Sequence, residues 1–275
     1  MIEVPKQFAP HICVDYPQNN KIIFEEWIGE NFIYANTDRI YLPIFWTSYY
    51  VNNGYGQHKR SIHDLQIFID SLDKSKRYWT IIQYDDSILN DVSGIDLLQF
   101  NMSKQNGIML PLLCQPHPYK FKGGKKWFAS FVGSRTHEIR DSANMLKSNS
   151  DYYVSFENHP IEQYCKIIYE SMFTLCYRGY GANSFRIAES LQYGSIPVYI
   201  SDEFILPEWV EFEKFGILIT HESQYKIDEI LQSVPLENLI EKQDYLQEAY
   251  EKYFSYEANL KHIIRTLETE CNQRK

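Results

Sequence analysis

Between Phe173 and Asp202 the sequence runs FTLCYRGYGANSFRIAESLQYGSIPVYISD, and the order of residue types there suits a diphosphate. The apolar run ending at Tyr177 predicts a buried strand, Gly179 and Gly181 predict a loop, and Asn183 or Ser184 stands where it would cap a following helix. A strand, a glycine loop and a helix start in that order offer an anion free backbone N–H groups and the positive end of a helix dipole. Arg186 falls in the first turn of that helix, where a guanidinium can grip two phosphate oxygens at once. Glu189 follows at i+3 on the same face. Spacing alone makes it either an acceptor for ribose hydroxyls or the partner of Arg186 in a surface ion pair.

Such a site needs strands to hold it. Short apolar runs alternate with helical patterns along the chain, which predicts α/β architecture with parallel sheets. In the first half strands are expected at 39–46, 79–84 and 107–113, with a helix at 61–72 where Ile62, Leu65, Ile69 and Leu72 recur at helical spacing. The stretch QPHPYKFKGGKK at 115–126 replaces apolar pattern with proline, glycine and lysine, so the domain boundary is placed there, giving domains 1–120 and 121–275. The second half predicts strands at 126–133, 152–156, 173–177, 196–201 and 215–220. Its helices are expected at 137–147, 160–170, 183–193, 225–232, 236–254 and 257–270.

Bulk composition removes several functions. A formal charge of −9 argues against nucleic acid as a partner, although a local basic pocket can still hold one diphosphate. The five cysteines, Cys13, Cys114, Cys165, Cys176 and Cys271, are widely spaced without a C-x-x-C pair, so neither a disulfide framework nor a zinc site is expected. The stretch from Met1 to Pro17 lacks a signal-like apolar run, and no uninterrupted apolar stretch approaches the roughly 20 residues of a spanning helix. The expectation is a cytosolic setting in a microbe or a virus-infected host, with at most peripheral membrane association. Asn101-Met102-Ser103 reads as a chance sequon. Tyr 22, Phe 16 and Trp 5 supply rings that either fill cores or stack on sugars.

The run SFRIAESLQYGSIPVYISDEFILP at 184–207 resembles the exostosin glycosyltransferases, as does KWFASFVGSRTHEIR at 126–140. The likeness is good over about the last 150 residues and looser before them, where Tyr78-Trp79 departs from the family's Asp-His. The resemblance implies a GT-B architecture of two Rossmann-like domains with a cleft between them: an N-terminal acceptor-binding half and a C-terminal half holding a UDP-sugar. It further implies inverting transfer to a glycan hydroxyl, with no cofactor and no metal, the leaving diphosphate being neutralised by arginines and a helix start. Carried over residue by residue, Ser184, Arg186 and Glu189 fall on the donor motif, and Gly133, Ser134 and Arg135 on the loop after the domain's first strand. Tyr177, Asn183 and Phe185 complete the donor-binding set, and Arg135 and Arg186 are expected to stabilise departing UDP.

Inverting displacement also needs a base for the acceptor's proton. Asp85, after the strand ending at Tyr84, and His58, in the loop after Trp46, are the candidates; each is equally a turn or capping residue. His58 and His63 are spaced wrongly for a metal pair on one helix face, and the donor motif argues against reading Asp85-Asp86 as a metal clamp. Two rival functions remain. Gly179 and Gly181 nearly match G-x-G-x-x-G, with Asp202 at the end of the next strand as a ribose acid, which would make an NAD-dependent oxidoreductase. Ser184 replaces the third glycine, however, and the motif comes late. The other rival is a non-catalytic glycan-binding module that keeps an aromatic groove and gives up the donor site.

Overall fold

The computed structural model describes residues 2–12, 22–32, 34–104 and 106–274. Cys13 and part of the N-terminal stretch lie outside the described residues; among the described residues Cys114, Cys165, Cys176 and Cys271 form no disulfide. Among the described residues no helix is long and apolar enough to cross a membrane. The chain forms two units, Met1–Gln115 together with Tyr256–Lys275, and Pro116–Ser255.

In the first unit β1 (Arg39–Tyr41), β2 (Arg77–Ile82), β3 (Asp96–Asn101) and β4 (Ile108–Met109) pair in sequence order, all parallel. From the N-terminal stretch it takes α1 (Phe24–Asn31), α2 (Trp46–Asn52) and α3 (Lys59–Asp70). The expected strand at 39–46 is cut to three residues. Pro43 has no N–H for a ladder, and Trp46, Tyr49 and Tyr50, at helical spacing and all buried, wind the following residues into α2 instead. Strand β3 and helix α1 escape the sequence reading for related reasons. β3 mixes Asp96 and Gln99 into its apolar pattern and follows β2 without an intervening helix, while α1 carries two adjacent glutamates that are 1% and 2% exposed. Asn101 is fully buried at the end of β3 and donates to Ser87 Oγ at 2.6 Å, so the sequon there is part of the core.

In the second unit β5 (Trp127–Val132), β6 (Tyr152–Ser155), β7 (Ser171–Tyr177), β8 (Ile196–Ser201) and β9 (Ile217–Thr220) form a parallel sheet in the order β6-β5-β7-β8-β9. The chain steps outward from β5 to β6, then returns across β5 to β7, so the winding direction reverses between β5 and β7. Ligands of open α/β sheets bind at the carboxyl ends of the strands flanking such a reversal. The crossovers carry α4 (Ile161–Tyr169) and α5 (Arg186–Gln192), and α6 (Ile227–Gln232) and α7 (Leu236–Ala249) follow β9. The expected α-helix at 137–147 is a 3-10 stretch, Glu138–Ser148. Within it Ser142 Oγ donates to Ile139 O and Asn144 Nδ2 to Asp141 O, side-chain bonds that compete with α-helical pairing. The helix expected at 236–254 ends as a π turn, Tyr250–Phe254.

The last helix, α8 (Tyr256–Asn272), belongs to the first unit, not to the C-terminal half where its place in the sequence puts it. Tyr256 packs edge-on against Phe24 and Trp27, with centroids 5.0 and 5.4 Å apart. Glu270 at the other end takes Arg39 Nε at 2.7 Å and Arg77 Nη2 at 2.6 Å. An amphipathic pattern records that a helix covers something, not which sheet it covers.

Candidate active site

At the reversal in the second unit, β5 ends on Phe131 and Val132, and Gly133 follows. Arg186, the first residue of α5, reaches back and donates through Nε and Nη2 to Val132 O at 2.9 and 2.7 Å. A methyl group on Gly133 would overlap Arg186 Nη2, so glycine is what lets the guanidinium cross the strand end. A second arginine lies alongside. Arg140, 4% exposed, donates Nε to Arg178 O and Nη1 to Ser134 O, both at 2.7 Å, tying the loop after β5 to the loop after β7. Both guanidiniums sit over the ring of Phe131, 5.3 Å away for Arg186 and 5.9 Å for Arg140. Neither makes an ion pair among the described residues. Burial, followed by the charge of Arg186, pushes the Arg140 pKa down to about 9.

Three buried polar atoms in the same loops have no hydrogen-bond partner: Thr136 Oγ1, Arg178 Nε and Ser184 Oγ. Groups of this kind cost about 1–3 kcal/mol each when left unsatisfied, so their gathering beside two arginines that make no ion pair among the described residues makes this a candidate site for a polar guest. Neither expected cap is found on α5. Phe185 occupies the N-cap position without a side-chain cap bond, and the Asn183 carboxamide oxygen accepts from Ser184 N at 2.8 Å, shaping the loop that precedes the helix.

Glu189 points away from Arg186's hydrogen bonds. Its Oε1 is 3.1 Å from His117 Nε2, and its Oε2 accepts from Tyr164 OH at 2.5 Å. Burial raises its pKa, but His117, Tyr164 and the charge of Arg186 together pull it below the ordinary carboxylate value. The alternative surface pair with Arg186 is not formed. Tyr177 is fully buried, its hydroxyl 3.0 Å from Ser142 Oγ. Arg135 is exposed over the Phe156 ring at 4.7 Å, with Asp141 3.4 Å away. The structure thus gathers Gly133, Ser134, Asn183, Ser184, Phe185 and Arg186 at the reversal and sends Tyr177 and Glu189 into the interior. Arg140, Arg178, Thr136 and His117 were missed by the site reading, although Arg140 closes the very stretch 126–140 that carries the family likeness.

Asp202 is not free to act as a ribose acid. Arg178 Nη1 donates to its Oδ1 at 2.5 Å and Arg178 Nη2 to Tyr180 O at 2.9 Å.

In the first unit Asp85 and Asp86 are the central residues of a turn closed by Ser87 N donating to Tyr84 O at 2.9 Å, directly after β2. His58 is exposed at the N-cap position of α3 and makes no cap bond. The buried glutamates of α1 were not anticipated. Glu25 Oε1 accepts from Thr47 Oγ1 at 2.5 Å and Gln83 N at 2.6 Å, and Oε2 from Thr47 N at 2.9 Å, joining α1 to α2 and the end of β2. Burial pushes its carboxyl up to about 8 against the pull of those three donors.

The family model described as the exostosin GT47 domain matches residues 44–234. The exostosin-1 homolog of Caenorhabditis elegans is 25% identical over 234 residues, covering 68% of this chain and 61% of the worm protein. A rice protein (Oryza sativa subsp. japonica) named "Probable glucuronosyltransferase Os02g0520750" is 32% identical over 100 residues, 36% of this chain and 23% of its own length. The chain thus spans less than two thirds of the length of either relative. Among solved structures, TarM superposes with a TM-score of 0.47 at 8% identity, over 75% of this chain and 53% of TarM.

Proposed function

We propose, since the chain belongs to the exostosin GT47 family, that it is a glycosyltransferase moving a sugar from a UDP-sugar to a glycan hydroxyl, with inversion and without a metal or other cofactor. The observation that carries the donor half of this reading is the arginine pair at the strand reversal, close to Phe131, bonded to backbone carbonyls and making no ion pair among the described residues. Two cations held together by backbone carbonyls are costly unless an anion joins them, and a pyrophosphate supplies two negative groups. In this reading Arg186 and Arg140 receive the charge that develops on UDP as the glycosidic bond breaks. The hydroxyls of Ser184 and Thr136 and Arg178 Nε donate to its oxygens. Arg135, more exposed and already near Asp141, plays the lesser part. Asp85 is the proposed acceptor of the sugar hydroxyl's proton, with His58 as the alternative, and turnover by Asp85→Asn and His58→Gln decides between them.

UDP at about 100 times its Kd should stabilise the chain by about 2.7 kcal/mol, a shift in unfolding temperature that NAD does not produce. Arg186→Ala and Arg140→Ala should each abolish that shift. They should also lower turnover of the best UDP-sugar about a hundredfold or more, the usual cost of removing a preorganised donor from a developing oxyanion. Stabilisation by NAD, or an unchanged UDP shift in both variants, would overturn the reading. The favoured partners are therefore a UDP-sugar donor and an oligosaccharide or glycoconjugate acceptor; cytosolic action is part of the same proposal.

A further inference from the structure

A second concavity in the second unit, of about 250 Å³, lies between the 3-10 stretch Glu138–Ser148 and the turn His221–Lys226 that leads into α6. None of the residues assigned to the donor lines it. Gln224, 4% exposed, is part of the lining, and its buried Oε1 has no hydrogen-bond partner. Asp228 Oδ1 accepts from Tyr152 OH at 2.6 Å and Gln232 Nε2 at 3.0 Å, while Oδ2 has no partner among the described residues. Two apolar side chains flank these acceptors and are themselves largely exposed, Tyr225 at 65% and Met145 at 59%. The lining holds no lysine or arginine.

We propose that this concavity is a carbohydrate site that holds one neutral sugar ring of a glycan chain. Each property of the lining selects a property of the guest. The volume is below the roughly 300–1,000 Å³ of sites for drug-sized ligands, so it takes about one ring and not a nucleotide. The second oxygen of Asp228, left without a donor among the described residues, suits a guest that donates, which hydroxyls do. An exposed phenol ring and a thioether offer the flat apolar surface on which the C–H face of a pyranose packs. A carboxylate with no neighbouring cation in the lining disfavours uronates and phosphates. Ser142 in the wall is hydrogen-bonded to Tyr177 at 3.0 Å, which connects this site to the end of β7. Binding here is a property of the second unit's surface and does not depend on the transferase reading.

The test is titration of the full chain with xylotetraose and cellotetraose, followed by saturation-transfer NMR and calorimetry, in the absence and presence of UDP. Both neutral probes should bind with or without UDP. Tyr225→Ala, at an exposed position that leaves the unfolding temperature unchanged, should weaken binding about tenfold, and Tyr225→Trp should restore it. Asp228→Asn should weaken it less, and trigalacturonate should bind more weakly than either neutral probe. Four results would each overturn the proposal: no tetrasaccharide bound, equal binding by wild type and Tyr225→Ala, trigalacturonate bound as tightly as xylotetraose, or displacement of xylotetraose by spermidine, which would mark a cation site instead. Loss of UDP binding in Arg186→Ala with xylotetraose binding intact would separate this site from the donor site.

Discussion

Arg186 and Arg140 converge on one place by different routes, the first from the start of a helix and the second from a 3-10 crossover. Gly133 is the residue that admits Arg186, because any side chain there would meet its Nη2. The atom displaced is the tip of a flexible side chain, so Gly133→Ala should cost binding more than stability. The expected outcome is at least about a tenfold loss of UDP affinity with an unfolding midpoint within about 1 kcal/mol of wild type. An unchanged UDP affinity in that variant would show that Arg186's present position is immaterial to the donor. Arg186 was legible from sequence because a strand, a glycine loop and a helix start announce an anion site. Arg140 was not, since a lone arginine on an amphipathic crossover is ordinarily a solvated residue. Glu25 and Glu26 hide for the same reason, their burial being made possible by hydrogen bonds that only the folded chain supplies.

At the scale of elements, the strands of the second unit were legible nearly to their bounds, whereas in the first unit β2 was found, β1 and β4 were expected too long, and β3 was not seen. Runs such as Ser171–Tyr177 and Ile196–Ser201 are almost continuously apolar, as strands buried on both faces must be, whereas β1 and β4 are three and two residues long. The seam between α8 and the amino-terminal edge of the first sheet rests on charge. Arg39, 8% exposed, reaches Asp96 and Glu270, and Arg77 reaches Asp38, Asp96 and Glu270. Hydrogen bonds from Arg39, followed by those from Arg77, hold the Glu270 carboxyl at about 2, below its ordinary 4.5. A depressed carboxylate contributes stability in full above its unfolded pKa and loses it as pH falls toward the folded one. Glu270→Gln should therefore lower stability by about 1.5–3 kcal/mol at pH 7, and the gap from wild type should close between pH 4.5 and 2. Urea titrations at pH 7 and pH 3 check both the size and the direction; a gap that widens on acidification would remove Glu270 from the seam.

The whole molecule consists of one continuous unit and one assembled from two separated stretches of chain. Deleting residues 256–275 should strip hydrogen-exchange protection from β1, β2 and β3 while leaving β5, β7 and β8 protected, because only the first unit loses Tyr256, Ile263, Leu267 and Glu270. Uniform loss across both sheets would mean that the two units do not unfold separately. On the ribosome this connectivity sets an order of events. Pro116–Ser255 can close its sheet as it emerges, while the segment made before it must wait, its buried Arg39 lacking a carboxylate partner from α8, until translation delivers residues 256–275. The unit whose synthesis begins first is thus the one that matures last, and a ribosome that stalls before residue 256 would hold a finished second unit attached to an open first sheet.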